Sequence, residues 1–222
     1  MHRFQSVRKN MPLTIFLIGA LALTMTPATV AGEKANFGSK DRIENGFTGE
    51  IFEINPGTRK LQQVQWRNPV GTLYARELYV PKTDFREGFP GISNRFEWFA
   101  IRYKARFRVL DEGTYRFKLR SDDGSILYID GKEVVDNDGD HAAKTRKGKV
   151  RLSPGVHDIQ VDYFQGPRYS VALELWIEPP YGDYVLFRPD LPVGRGDGPF
   201  GSIFGNKRMF AGQLYAVDRG FR

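Results

Sequence analysis

The feature that most constrains this chain is a two-residue alternation of apolar and polar side chains that recurs along its middle. Residues 114–119 (TYRFKL) set Tyr115, Phe117 and Leu119 on one face with polar neighbours between them, the pattern of a half-buried strand. Residues 156–164 repeat it through Ile159, Val161 and Tyr163, and residues 170–177 through Val171, Leu173, Leu175 and Ile177. Residues 126–130 and 133–135 flank Gly131-Lys132, a short turn whose glycine is free to take positive φ. Residues 50–54, 73–80 and 96–110 are further strand candidates. No segment sustains a capped i, i+3, i+4, i+7 pattern, and turn signals return about every eight to twelve residues. The fold class expected is all-β, an antiparallel β-sandwich or barrel.

The chain has 222 residues, 41% of them hydrophobic and 27% charged, and no cysteine. That length allows one large domain or two small ones, and a core that needs no covalent staple. The missing cysteine excludes disulfide scaffolds, cysteine-ligated zinc, iron–sulfur clusters and thiol nucleophiles. A net charge of +7 invites a nucleic-acid or anionic-membrane reading until it is divided by region. Arg3, Arg8 and Lys9 precede an uncharged run from Met11 to Met25, and Pro27, Ala28 and Ala31 follow it. This is the layout of a secretory signal peptide, shorter than the roughly 20 apolar residues of a spanning helix. Residues 1–31 are therefore expected to be removed, with cleavage after Ala28 or Ala31. The mature chain would be secreted, periplasmic or surface-associated and would have no transmembrane span. Between Gly32 and Glu178 the chain holds 24 basic and 22 acidic residues, so the charge argument for nucleic acid falls away.

Residues 32–44 read as an N-terminal linker, 45–179 as the β domain and 180–222 as an extended tail. From Pro179 onward, 13 of 44 residues are Gly or Pro, yet eight are aromatic. Such a segment reads as an arm laid back over the domain, or as a docking segment for a protein partner. Residues 209–217 offer one more strand. Arg195-Gly196-Asp197 spells an integrin-recognition tripeptide, a three-residue match that arises easily by chance.

The densest acidic region holds Asp122, Asp123, Asp130, Glu133, Asp136, Asp138 and Asp140 against a single Lys132. Such a cluster is tolerable if solvated, paired with cations or holding a hard divalent metal. Lys144, Arg146, Lys147, Lys149 and Arg151 follow at once, so charge pairing competes with metal binding. Residues 136–140 (DNDGD) imitate the start of an EF-hand loop. The match fails at His141, where glycine is required, and at Lys147, where a bidentate Glu belongs.

Residues 114–131 (TYRFKLRSDDGSILYIDG) closely resemble the signature of the PA-fourteen domain, a β-barrel module of anthrax protective antigen, yeast flocculins and many bacterial glycosidases. Residues 152–176, with Gly155, His157, Asp158, Tyr163 and Trp176, continue the resemblance, as do residues 88–101 before it. It spans about residues 45–179. In the adhesin branch two consecutive aspartates joined by a cis peptide chelate Ca²⁺, which then binds sugar hydroxyls. The resemblance thus implies Asp122 and Asp123 as metal ligands; Asn137 or Asp138 of the neighbouring loop could substitute for a family ligand that is missing here. The adhesins add an Asn from a late loop; here that loop reads Gln165-Gly166-Pro167-Arg168-Tyr169. Gln165 can offer an amide oxygen, Arg168 would repel a cation, and Tyr169 is a stacking candidate. Against this stands a plain turn, in which the Ser121–Gly124 side chains bond local backbone N–H groups. Trp66, Trp98, Trp176 and Tyr128 are stacking candidates by residue type alone.

The mature chain has two histidines, His141 and His157, and none of the common hydrolase or phosphate-cradling motifs. The expectation is a non-catalytic, carbohydrate-binding module with Ca²⁺ as its cofactor and a glycan or cell-surface polysaccharide as its partner. The alternative is a structural, assembly or adhesion protein that uses the domain and aromatic tail for protein contacts.

Overall fold

The structure is a computed structural model, and it describes residues 35–167 and 170–194. Eleven strands form: β1 (Phe47–Glu53), β2 (Gly71–Ala75), β3 (Tyr79–Asp84), β4 (Phe99–Val109), β5 (Gly113–Asp122) and β6 (Ser125–Ile129), then β7 (Lys132–Asn137), β8 (Lys144–Leu152), β9 (Gly155–Gln165), β10 (Ser170–Glu178) and β11 (Val185–Leu186). They make two antiparallel sheets. The first runs β2-β1-β4-β9-β6-β7; the second runs β11-β10-β5-β8, with β3 also on β10. The sheets face one another without closing, so the sandwich half of the expectation is what forms.

The alternation read from the sequence is what the two sheets bury. Tyr115, Phe117 and Leu119 of β5 meet Ile101, Tyr103 and Val161 from the facing sheet, all fully buried. The tight β6–β7 turn has positive φ at Asp130 (49°) and Gly131 (75°), as a two-residue hairpin turn matching strand twist requires. Asp130 then ties that turn to β9 by accepting from the Asp158 N–H at 2.9 Å and facing His157 Nδ1 at 2.7 Å. Burial works against charging His157, but the hydrogen bonds to Asp130 and the Ser153 carbonyl, with the Asp130 and Asp158 charges, together outweigh it and the ring's pKa rises. His157 is a strand residue in a structural bond.

Three expectations change. Residues 73–80 are not one strand: the chain leaves the first sheet after Ala75 and enters the second at Tyr79. The step is fixed by Leu78, whose carbonyl accepts from the Leu175 N–H at 3.0 Å. Residues 35–39 are not a free linker, because Phe37 is buried among Phe85, Phe89, Phe99 and Tyr163, and its carbonyl accepts from Tyr103 Oη at 2.6 Å. The domain also continues past Pro179. β11 pairs with Trp176 and Ile177, Phe187 is fully buried, and Val193 bridges to Val109. The expected strand at residues 209–217 and the expected leader lie outside the described residues.

Alternation hides β8, which reads as a basic strip. It is an edge strand, with Leu152 its one buried residue, so its sequence carries little apolar signal.

A second, smaller apolar cluster lies on the outer face of the first sheet. Phe52, Ala100, Ile126 and Phe164 point outward there, and Leu61, Val64 and Trp66 from the β1–β2 connection cover them. A 3-10 turn at Leu61–Gln63 anchors the cover.

Candidate functional site

Three connections meet at one end of the sandwich: β5–β6, β7–β8 and β9–β10. The first carries Asp122 and Asp123, which are only 6% and 5% exposed. Their shared peptide is cis. Asp122 Oδ2 accepts from the Ala143 N–H at 3.0 Å. Asp123 Oδ1 accepts from the His141 N–H at 3.0 Å, and Oδ2 from the Gly166 N–H at 2.8 Å. The carboxylates therefore staple the other two loops to their own. The packing is close: a Cβ at Gly166 would lie 3.2 Å from Asp123 Oδ2, and one at Gly124 would collide with the Phe164 ring.

Among the described residues neither carboxylate is ion-paired. Burial raises the pKa of both, to about 6 for Asp123. For Asp123 the Gly166 and His141 amides pull the other way, while the Asp122 and Asp140 charges add to the rise. For Asp122 the Ala143 amide, Lys82, His141 and Arg120 offset burial. Beneath the pair, Tyr163 Oη lies 2.6 Å from both the Asp122 carbonyl oxygen and Gln165 Oε1. Burial and the two carboxylates hold the Tyr163 pKa well above its usual value, so it stays a neutral donor.

The neighbouring oxygens divide into engaged and free. Asp138 Oδ1 accepts from Gly139 N–H at 2.9 Å and from Leu61 N–H at 3.0 Å, which ties the β7–β8 loop to the covering turn. Gln165 is 1% exposed, and its Nε2 donates to the Ser170 carbonyl at 3.2 Å. It props the loop from inside. Asn137 Nδ2 donates to Ser121 Oγ at 2.8 Å and to the Lys144 carbonyl at 3.1 Å. Asn137 Oδ1 is buried with no hydrogen-bond partner among the described residues. Arg168 and Tyr169 lie outside the described residues. Among the described residues no group of three or more acidic or histidine side chains converges as a metal site, at this end or elsewhere.

The sequence pointed to the two aspartates and their neighbours but not to the backbone amides of His141, Ala143 and Gly166 that orient them. Of the stacking candidates, Trp98 lies beside this loop cluster. It has φ of 56°, packs against the outer apolar cluster, and its ring would touch a Cβ at Gly166 at 3.8 Å. Trp66 and Trp176 lie on the outer faces of different sheets. A shallow basin of about 750 Å³ opens at Arg42–Gly46, Lys104 and Arg106. It sits farther along β4, and neither Asp122 nor Asp123 lines it.

A two-sheet sandwich with a buried, loop-stapled aspartate pair at one end defines a class of small β modules. Residues 81–184 match the family model of the PA14 domain. The anti-sigma-I factor RsgI3 of Acetivibrio thermocellus is 24% identical over 139 residues, which are 62% of this chain and 22% of that protein. The chain thus spans about a fifth of the curated relative it matches. Among solved structures, the PA14 sugar-binding domain from an RTX adhesin is 20% identical with a TM-score of 0.55, covering 66% of this chain and 96% of that one. The PA14 domain of the antifreeze protein MpAFP is 18% identical with a TM-score of 0.56, covering 70% and 93%.

Proposed function

We propose that the chain is an exported, non-catalytic carbohydrate-binding module, with Ca²⁺ held at Asp122 and Asp123 and sugar hydroxyls completing the coordination. The observation that carries this reading is the pair itself: two adjacent carboxylates, almost fully buried, fixed by three backbone amides and, among the described residues, in no ion pair. Buried charge of one sign is costly unless paired or on a metal. The donor set fits a hard cation. It offers carboxylate oxygens and, one hydrogen bond away through Ser121, the unpartnered amide oxygen of Asn137. Ca²⁺ takes six to eight oxygens and accepts neutral ones, so two carboxylates leave room for diol oxygens. Asp138 and Gln165 hold loops in place instead. The RTX adhesin domain of the same fold, described as sugar-binding, supports the substrate class.

The test is calorimetric titration of the full chain with Ca²⁺, followed by a glycan array in Ca²⁺ and in EDTA. Heat of Ca²⁺ binding, its loss in Asp122→Ala, and array signals that vanish in EDTA are expected. Array signals unchanged by EDTA would remove the metal from the mechanism. No glycan binding in either buffer would remove the carbohydrate reading.

A further inference from the structure

The outer face of the second sheet breaks a rule of cross-strand pairing. Between β5 and β10 the outward residues alternate sign: Arg116 meets Glu178 at 2.9 Å and Arg120 meets Glu174 at 2.6 Å. Between β5 and β8 they do not. Arg116 lies directly opposite Lys149, and Lys118 directly opposite Lys147. Like charges directly opposite on one face destabilise a sheet, and two such pairs stand side by side. Among the described residues no acid pairs with Lys118, Lys147 or Lys149. Lys118 Nζ instead lies over the rings of Trp176 at 4.5 Å and Tyr184 at 5.1 Å, and Lys147 Nζ over the same Tyr184 ring at 5.4 Å. Two ammonium groups converge on one aromatic ring. Tyr79, 40% exposed, extends the aromatic patch by an edge contact with Trp176 at 6.3 Å.

The Arg116–Glu178 pair and the cation–π contacts compensate these charges only in part, and local rules left broken in this way are expected at functional sites. We propose that this face is a second binding site, separate from the aspartate pair, for an acidic polysaccharide. Its carboxylates or sulfates would sit between Lys118, Lys147 and Lys149, and its sugar rings would lie against Trp176 and Tyr79. The chain's own terminal segment does not complement the seam, because residues 195–222 carry five basic and two acidic residues. A nucleic acid is disfavoured because residues 32–178 are almost balanced in charge. The seam has only a few uncompensated cations, whereas a phosphate backbone is usually gripped by a long basic track.

The experiment is affinity electrophoresis of the full chain at low salt in EDTA through gels containing polygalacturonate, heparin or dextran, with a single-stranded oligonucleotide as competitor. Retardation by polygalacturonate or heparin but not dextran is expected. The double variant Lys118→Gln/Lys147→Gln should weaken it about tenfold, while Lys104→Gln/Arg106→Gln on the other sheet should leave it unchanged. Asp122→Ala should also leave it unchanged, which separates this site from the calcium reading. No retardation by either acidic polymer, equal loss in both double variants, or oligonucleotide binding tighter than either polymer would overturn the proposal.

Discussion

The two sheets each place a cation over a tryptophan on their outer faces, and they treat it in opposite ways. On the first sheet Arg102 lies 4.0 Å above Trp66 and is gripped by both oxygens of Asp162, at 2.8 and 2.7 Å. The β1–β2 connection closes over this face, and Asp162 is 3% exposed. On the second sheet Lys118 lies over Trp176 and beside Tyr184 and, among the described residues, has no acid partner. The same contact is a sealed joint on one face and an open seam on the other. A planar guanidinium that can be held bidentately suits the first; flexible ammonium groups suit the second.

The sharpest way to break this comparison is Arg102→Ala. It would strand the Asp162 carboxylate under the covering segment. Removing one partner of a buried pair costs about 3–5 kcal/mol, and Gln160, which donates to Asp162 at 3.1 Å, replaces little of it. Urea denaturation should show a loss in that range. A loss below about 1 kcal/mol would mean that the pair behaves as a surface bridge and that the face is not sealed.

The next effect belongs to the aspartate pair, which lies where the sealed face meets the loops. Asp123 has its folded pKa at about 6, above the ordinary 3.8. An acid raised in this way destabilises the fold above its folded pKa and is relieved as the pH falls through it. In EDTA, stability should therefore rise between about pH 7 and pH 4, by at most about 3 kcal/mol for a shift of this size. His157, also raised, adds a smaller gain in the same direction, so Asp123→Asn is the control and should flatten most of the slope. Saturating Ca²⁺ should reverse the trend, because the cation competes with the proton for the same oxygens. Parallel slopes in EDTA and in Ca²⁺ would argue against a metal at the pair.

The sequence made the fold legible wherever one side of a strand is buried and the other wet. β5, β9 and β10 alternate legibly because most of their outward residues are polar, such as Arg116, Lys118, Arg120, Asp158, Gln160, Asp162, Glu174 and Glu178. Alternation was silent for β8, whose edge position leaves few residues to bury, and misleading at residues 73–80, where one apolar run serves two sheets. The aspartate pair was legible only as a resemblance. What makes it a site is the convergence of the His141, Ala143 and Gly166 amides from loops far apart in sequence. Backbone donors leave no mark on side-chain pattern. The like-charge seam was equally hidden. A run of basic residues after an acidic cluster suggests mutual pairing, and only the β5–β8 register shows that the lysines face other cations.

That register makes the smallest prediction the most discriminating one. Lys118→Gln/Lys147→Gln removes two charges from the open face, as Arg102→Ala removes one from the sealed face. If the seam were merely a solvated surface, the change would be neutral. Because the two charges stand directly opposite each other, their removal should relieve about 0.5 kcal/mol of repulsion at low salt. The gain should fade toward zero near 1 M salt, where the screening length falls to roughly 3 Å. Loss of the three cation–π contacts works the other way, by about 0.5–1 kcal/mol each at an exposed site. The salt dependence, rather than the net value, therefore identifies the repulsion. If the stability of the variant minus that of the parent instead rises as salt is added, the lysines are paired in solution and the second sheet has no unmatched charge to offer a ligand.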